Sequence, residues 1–320
     1  MKFPVRRTVC AFALFASFAA QAQEWPSKPV RVILSLGGGA EPLMRAAGEK
    51  LTEALGQPFV VELQGGAGGQ IGAEMVARSA PDGHTLLLTS ANTHVHRKVV
   101  VKNVPYDPIA DFTPVAKVAD TILCIAVSRD FPAQSLQQLI DYAKANPGKL
   151  SYSTSGIGTG HHINAAQLEF RAGIDMVHVP YKTGQQQMID LLANRVPIAF
   201  TVTATALPYM QAGKARIIGI IGPRRFATLP DVPTVQERVK GYESLPGWLA
   251  FFGPAGIPQP LVARMQGEIF KLFQLPDIRA KWDAAGFVVD LAPADALGAM
   301  LKRQLGIVTE IVKHAHIEQE

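Results

Sequence analysis

The chain has 320 residues, 48% of them apolar and 18% charged, which allows two packed domains and excludes a disordered chain. Of its five net positive charges, three belong to Lys2, Arg6 and Arg7. Residues 23–320 are therefore close to neutral and carry no basic run, which excludes a nucleic-acid binder.

The first 22 residues read as an export signal. The basic residues precede an apolar stretch, Thr8 to Ala20, that is too short to span a bilayer. Ala20-Gln21-Ala22 is a small-x-small cleavage pattern, so the mature chain is expected to begin at Gln23 in the periplasm. Cys10 goes with the signal. Cys124 then stands alone in an apolar run, a buried core thiol with no disulfide partner.

Val30 to Ser35 is a β-branched run typical of a buried parallel strand. Leu36-Gly37-Gly38-Gly39-Ala40 follows, then a helix from Pro42 to Leu55 stopped by Gly56. Phe59 to Leu63 predicts a strand, Gln64 to Gln70 a second glycine-rich turn, and Ile71 to Ser79 a helix. The strand Thr85 to Thr89 ends in the polar cluster Ser90-Ala91-Asn92-Thr93. Open α/β sheets collect ligands at the carboxyl ends of such strands. Asp120 to Ser128 reads as a strand leaving this lobe, and Ser135 to Asn146 as an amphipathic helix.

Residues 151–182 predict a βαβ unit: a strand to Ser153, a turn from Thr154 to Gly160, a helix from His161 to Arg171 and a strand from Met176 to Val179. Its three glycines leave N–H groups open beside the positive end of the helix. That corner suits a carboxylate or phosphate, and reads equally as a helix start that binds only water. A helix from Gln185 to Asn194, a strand from Val196 to Val202, a short helix to Gly213 and a strand from Ile217 to Ile221 follow. Thr234 to Lys240 is a short helix. Trp248 to Phe252 reads as a returning strand, with Trp248 in the core. Helices over Pro260–Phe273, Pro276–Ala285 and Pro293–Lys313 close the chain. Lobe 1 is then 23–125 plus 245–320, lobe 2 is 126–244, and two crossings hinge the cleft between them.

Catalytic signatures are missing. There is no Walker loop, no G-x-G-x-x-G in its proper setting, no H-E-x-x-H and no G-x-S-x-G. Ser90, Ser153 and Ser155 have no histidine at a spacing that suggests a triad, so an exported hydrolase is disfavoured. His94 with His96, and His314 with His316, lack a third ligand and read as surface or capping residues; no metal or other cofactor is expected. His162 reads either as a ligand contact or as a buried group that shapes its loop.

Several short motifs occur in order along the chain. They include Gly66-Ala67-Gly68-Gly69-Gln70-Ile71-Gly72, Ala80-Pro81-Asp82-Gly83-His84-Thr85, Tyr106-Asp107-Pro108, Asn146-Pro147-Gly148-Lys149-Leu150, Val177-His178-Val179-Pro180-Tyr181-Lys182 and Leu229-Pro230-Asp231-Val232-Pro233-Thr234. With the first glycine loop they resemble the Bug-type solute-binding proteins of tripartite tricarboxylate transporters, over essentially the whole mature chain. The resemblance implies the type II periplasmic binding protein fold: α/β, two lobes, each a Rossmann-like mixed sheet flanked by helices, joined by two crossover strands. It implies a non-enzymatic, monomeric receptor that carries a small organic carboxylate to membrane permease subunits. A receptor presenting its closed state to a membrane sensor kinase would look the same.

Carried onto this sequence, the resemblance implies a site made by the backbone at Leu36, Gly38 and Gly39, with Gln70, Ser90 and Asn92, in the first lobe. The second lobe contributes Ser155, Gly156, Thr159, His162 and Tyr181, with Thr201 to Thr203. Three positions depart from the family pattern: Glu41-Pro42 after the first loop, Ile157 in place of a hydroxyl, and Thr201 in place of an aspartate. An aspartate in the cleft would pair with a ligand ammonium, which Thr201 cannot do. The expected ligand is a carboxylate without an α-amino group, such as an aromatic acid or a dicarboxylate.

Overall fold

The computed structural model describes residues 25–36, 40–317 and 319. The expected signal segment and Gly37 to Gly39 lie outside the described residues. In chain order the elements are β1 (Val30–Leu34), α1 (Glu41–Leu55), β2 (Phe59–Leu63), α2 (Gln70–Ala77), β3 (Thr85–Ser90), α3 (Arg97–Val100), β4 (Phe112–Thr121) and β5 (Leu123–Ser128). Next come α4 (Leu136–Ala145), β6 (Ser151–Thr154), α5 (Gly160–Ala172), β7 (Val177–Pro180), α6 (Gly184–Leu192), β8 (Ile198–Val202), α7 (Thr203–Gln211) and β9 (Ala215–Ile221). The chain ends with β10 (Gly247–Pro254), α8 (Gln259–Gln274), α9 (Pro276–Ala284), β11 (Phe287–Pro293) and α10 (Ala294–His314).

The strands form two mixed sheets, ordered β11-β4-β10-β3-β1-β2 and β7-β6-β8-β5-β9. β1 runs parallel to β2 and β3, and β10 returns antiparallel between β3 and β4. In the second sheet β6 is parallel to β7 and β8, while β5 is antiparallel to β8 and β9. Alternation along β1 sends Val30, Val32 and Leu34 to one core, against Met44 and Leu51 of α1 and Met265 and Ile269 of α8. Ile33 faces the other way, toward Ala73 and Val76 of α2 and Leu297 and Val308 of α10. Helices on both faces explain why the strand is apolar apart from Arg31, which is exposed and pairs with Glu62 at 2.7 Å.

Local signals set most helix ends. Ser135, Thr159 and Thr183 each accept a hydrogen bond from a backbone N–H in the first turn of α4, α5 and α6. Thr234 and Glu237 form a capping box around one short 3-10 turn, smaller than the helix expected there.

The stretch expected as one strand, Asp120 to Ser128, is two. β4 ends the first sheet at Thr121 and β5 opens the second at Leu123. β4 begins at Phe112, and Pro114 and Lys117 had hidden its first half. Pro114 lies beside a register shift in the β4–β10 pairing. Lys117 is buried, and its charge is met by Asp120 at 2.7 Å and Asp290 at 2.5 Å. The chain returns at Gly247, where an added Cβ would stand 2.6 Å from the Thr121 hydroxyl, so the two crossing strands touch. Helix α5 packs on both sides. Ala165 and Leu168 join the second-sheet core, and Ile163 and Ala166 join the core under α10.

Candidate functional site

Three loops meet at the carboxyl ends of β1, β2 and β3. Ser35 donates to the Thr89 hydroxyl at 2.8 Å, and Thr93 donates to the Gly68 carbonyl at 3.1 Å. Gly69, at φ +89°, lies against both; a Cβ there would be 2.4 Å from the Ser35 carbonyl oxygen and from the Thr93 hydroxyl. After β3 the chain continues as one widened helical turn, Asn92–His96, that runs into α3. Such π-type turns interrupt a helix's regular spacing, often at functional sites.

From the second sheet, the loop after β6 is fixed by its own side chains. The Gly156 N–H donates to Thr154 Oγ1 at 3.2 Å, and Thr159 Oγ1 donates to the Gly156 carbonyl at 2.8 Å. The Gly158 N–H donates to His162 Nδ1 at 3.1 Å, which leaves the His162 proton on Nε2. His162 stacks on His178, with ring centroids 3.9 Å apart. The N–H groups of Gly156 and Gly158 are thus bonded within the loop, so it is less open than its glycines suggest.

The two sets of loops touch at Asn92, whose Oδ1 accepts from the Gly160 N–H at 3.3 Å and lies 2.8 Å from His96 Nδ1. Two cavities of about 170 Å³ each share Asn92 and His96. One extends to the crossing strands through Ser90, Thr121, Leu123, His161 and Val202. The other is lined by Gly68, Arg97 and Val100 on one side and Ile157, Gly158 and Thr159 on the other. Each is smaller than the roughly 300–1,000 Å³ of pockets that bury drug-sized ligands, and suits a small metabolite.

Of the residues expected at the site, Ser90, Asn92 and Thr159 line these cavities. Gln70 stands behind Arg97 and accepts from its Nε at 3.0 Å. The Leu36 carbonyl oxygen lies 2.9 Å from where a Gly65 Cβ would be. Ser155 is bonded to His161, and Tyr181 donates to Asp190 at 2.6 Å. Thr201 and Thr203 are buried, Thr201 on β8 facing Gly184 and Thr203 near Cys124. Gly38 and Gly39 lie outside the described residues. His94 and His96 are buried, not on the surface as expected, and His94 packs among Tyr106, Phe112 and Phe252. Sequence reasoning missed His96, Arg97 and Gly160. The Asn92/His96 spacing of four was the available signal, once residues 92–100 are read as helical.

Burial holds the site histidines neutral. His96, His161, His162 and His178 are lowered from 6.5 to about 4, and His94 to about 3. The unfolded chain then binds more protons between about pH 4 and 6.5, so this stability is complete above 6.5 and is lost as pH falls. Glu169 opposes it: burial raises its carboxyl from 4.5 to about 7, so its contribution is present below 4.5 and fades as pH rises through 7. Five rings outweigh one carboxyl. The melting temperature is expected to fall steeply between pH 6.5 and 4.5 in a calorimetric series. A flat profile there would show that the rings are protonated in the folded protein.

Two mixed sheets, joined by crossing strands around a small cleft with polar groups at its centre, define a two-lobed periplasmic binding protein. The tripartite tricarboxylate transporter family receptor pattern matches residues 43–314. A relative from Pseudomonas sp. (strain P51), the UPF0065 protein in the tcbD-tcbE intergenic region, is 34% identical over 85% of this chain and 83% of its own length. Among solved structures, Rpa4515 of R. palustris with adipate is 26% identical, with a TM-score of 0.76 over 92% of this chain and 99% of that one. MatC (Rpa3494) of Rhodopseudomonas palustris with bound malate is also 26% identical, with a TM-score of 0.71 over 90% of this chain and 100% of that one. The chain belongs to the receptor family of tripartite tricarboxylate transporters, a family of solute-binding proteins rather than enzymes.

Proposed function

We propose that this receptor is exported to the periplasm, with its signal cleaved after Ala22, and delivers a small carboxylate without an α-amino group to membrane permease subunits. The lining of the two cavities carries this reading. Among the described residues it contains Asn92, histidines held neutral, hydroxyls and one arginine, but no aspartate or glutamate. An α-ammonium group closed into such a space would lose its water and gain no counter-charge. A carboxylate needs only hydrogen-bond donors, which neutral groups supply without the cost of burying several cations. The adipate and malate of the two R. palustris structures also lack amino groups.

In this reading the expected boundary at 125 moves to Ile122, between β4 and β5, so that residues 23–122 and 245–320 form one lobe and 123–244 the other. They close over a ligand held by Leu36, Gly38, Gly39, Gln70, Ser90 and Asn92 on one side. Ser155, Gly156, Thr159, His162, Tyr181, Thr201 and Thr203 form or support the other. A thermal-shift screen of the chain from Gln23, against small mono- and dicarboxylates with and without amino groups, tests it. A true ligand at a hundredfold excess over its Kd adds about 2.7 kcal/mol of stability. The expected result is a shift with one non-amino acid and none with aspartate or glutamate. The largest shift coming from either amino acid would overturn the proposal.

A further inference from the structure

We propose that Arg97, held by Gln70, is the subsite for the second carboxylate of a dicarboxylate ligand, and that it sets the preference for diacids over monoacids. The proposal rests on the reading of the cleft as a carboxylate site and names the group that measures the ligand's far end.

The position is specific. Arg97 opens α3 and lines the cavity whose opposite wall is Ile157, Gly158 and Thr159. Its Nε donates to Gln70 Oε1 at 3.0 Å, which tethers the guanidinium, and its Nη groups make no hydrogen bond among the described residues. Gly68, at φ +63°, makes the space: a Cβ there would stand 3.0 Å from Arg97 Nη1. Two loops thus cooperate to place one cation. Gln70 supplies the tether and Gly68 the clearance.

The charge is also specific. Arg31, Arg45, Arg171, Arg225 and Arg264 each pair with a carboxylate of their own, and Arg216 donates to backbone carbonyls. Arg129, Arg238 and Arg279, unpaired among the described residues, are exposed and line neither cavity. Among the described residues, Arg97 has no carboxylate within 4.0 Å, and no acid lines its cavity. The other polar side chains on that lining, Asn92, His96 and Thr159, are uncharged; burial and the neighbouring His161 keep the His96 ring neutral. The cavity therefore presents one fixed positive charge on an otherwise neutral wall. A guanidinium offers a planar pair of donors that matches a carboxylate's two oxygens. A monoacid held by the neutral groups would leave that pair facing a methyl group or water.

The test is isothermal titration calorimetry of wild type, Arg97→Gln and Arg97→Lys with matched probes: succinate against butyrate, and adipate against hexanoate. Wild type is expected to favour the better-fitting diacid over its monoacid by tenfold or more. Arg97→Gln is expected to lose that preference through weaker diacid binding, with monoacid binding unchanged, and Arg97→Lys to keep part of it. Rising salt should narrow the wild-type preference. A wild type without diacid preference, or Arg97→Gln binding the diacid as wild type does, would overturn the subsite. Wild type binding no carboxylate of either kind would overturn the reading of the cleft itself.

Discussion

Asn164→Leu is expected to destabilise the protein by about 3–5 kcal/mol in urea unfolding at pH 7, from two or three orphaned buried groups at roughly 1–3 kcal/mol each. Asn164 is fully buried on α5. Its Oδ1 accepts from the Tyr242 hydroxyl at 2.9 Å and from the Leu245 N–H at 3.2 Å. Its Nδ2 donates to the Leu245 carbonyl at 2.9 Å and to the Gly160 carbonyl at 2.7 Å. Leucine fills the same space and offers none of these bonds. The Leu245 N–H and the Leu245 carbonyl would then be left without partners, and the Tyr242 hydroxyl would keep only its longer bond to the Asn164 backbone carbonyl at 3.4 Å. Gly160 keeps its ordinary place in the helix ladder. The loss falls where the chain turns back toward β10, so it loosens the second crossing as well as the helix. A Leu variant within about 1 kcal/mol of wild type would mean that these groups find other partners at the ordinary cost of surface changes.

The expected elements that held were those whose signals are local. α1 has a proline in its first turn and a left-handed Gly56 at its end; α8 and α9 also begin with proline. β3 and β10, and β1 apart from its exposed Arg31, are mainly apolar runs buried on both sides. What was missed depends on distant partners. β4 carries a buried lysine whose counter-charges come from its own end and from β11, so its polarity looked like a loop. β11 is half-buried and lies between two helices, with a register shift between Val289 and Ala292 against β4. At the site, the glycine loops and the Ser90/Asn92 cluster were legible because strand ends collect polar residues. Arg97 and His96 were not. Their meaning depends on a helical turn after β3 and on Gly160 arriving from 68 residues away. Tyr181 has a partner that its motif does not show, since its hydroxyl donates to Asp190 nine residues on.

Gly158→Ala is expected to weaken ligand binding by about 10–100-fold while the protein remains folded. Gly158 has φ +67°, where an alanine costs roughly 1–2 kcal/mol in the backbone alone. That cost lowers stability whatever surrounds the residue. The second cost is particular to the cleft. An added Cβ would stand 2.6 Å from Val100 Cγ2 and 3.1 Å from its Cβ, and Val100 belongs to α3 on the other side. Overpacking of this kind typically costs about 1–3 kcal/mol, which at 1.4 kcal/mol per decade gives the stated range. The chain can relieve it only by shifting the loop that carries Thr159 or by holding the two sides apart, and either change spoils the cavity they share. Gly173→Ala is the matched control. Gly173 has φ +62° with nothing within 4 Å of an added Cβ, so that variant should lose comparable stability and bind normally. The double variant Gly158→Ala/Val100→Ala removes the two methyl contacts and leaves only the 3.1 Å Cβ approach, so it should recover part of the affinity without recovering the backbone cost. If Gly158→Ala binds as Gly173→Ala does, the approach of Gly158 to Val100 is not part of the ligand-bound arrangement. In that case the two sides meet elsewhere when they close.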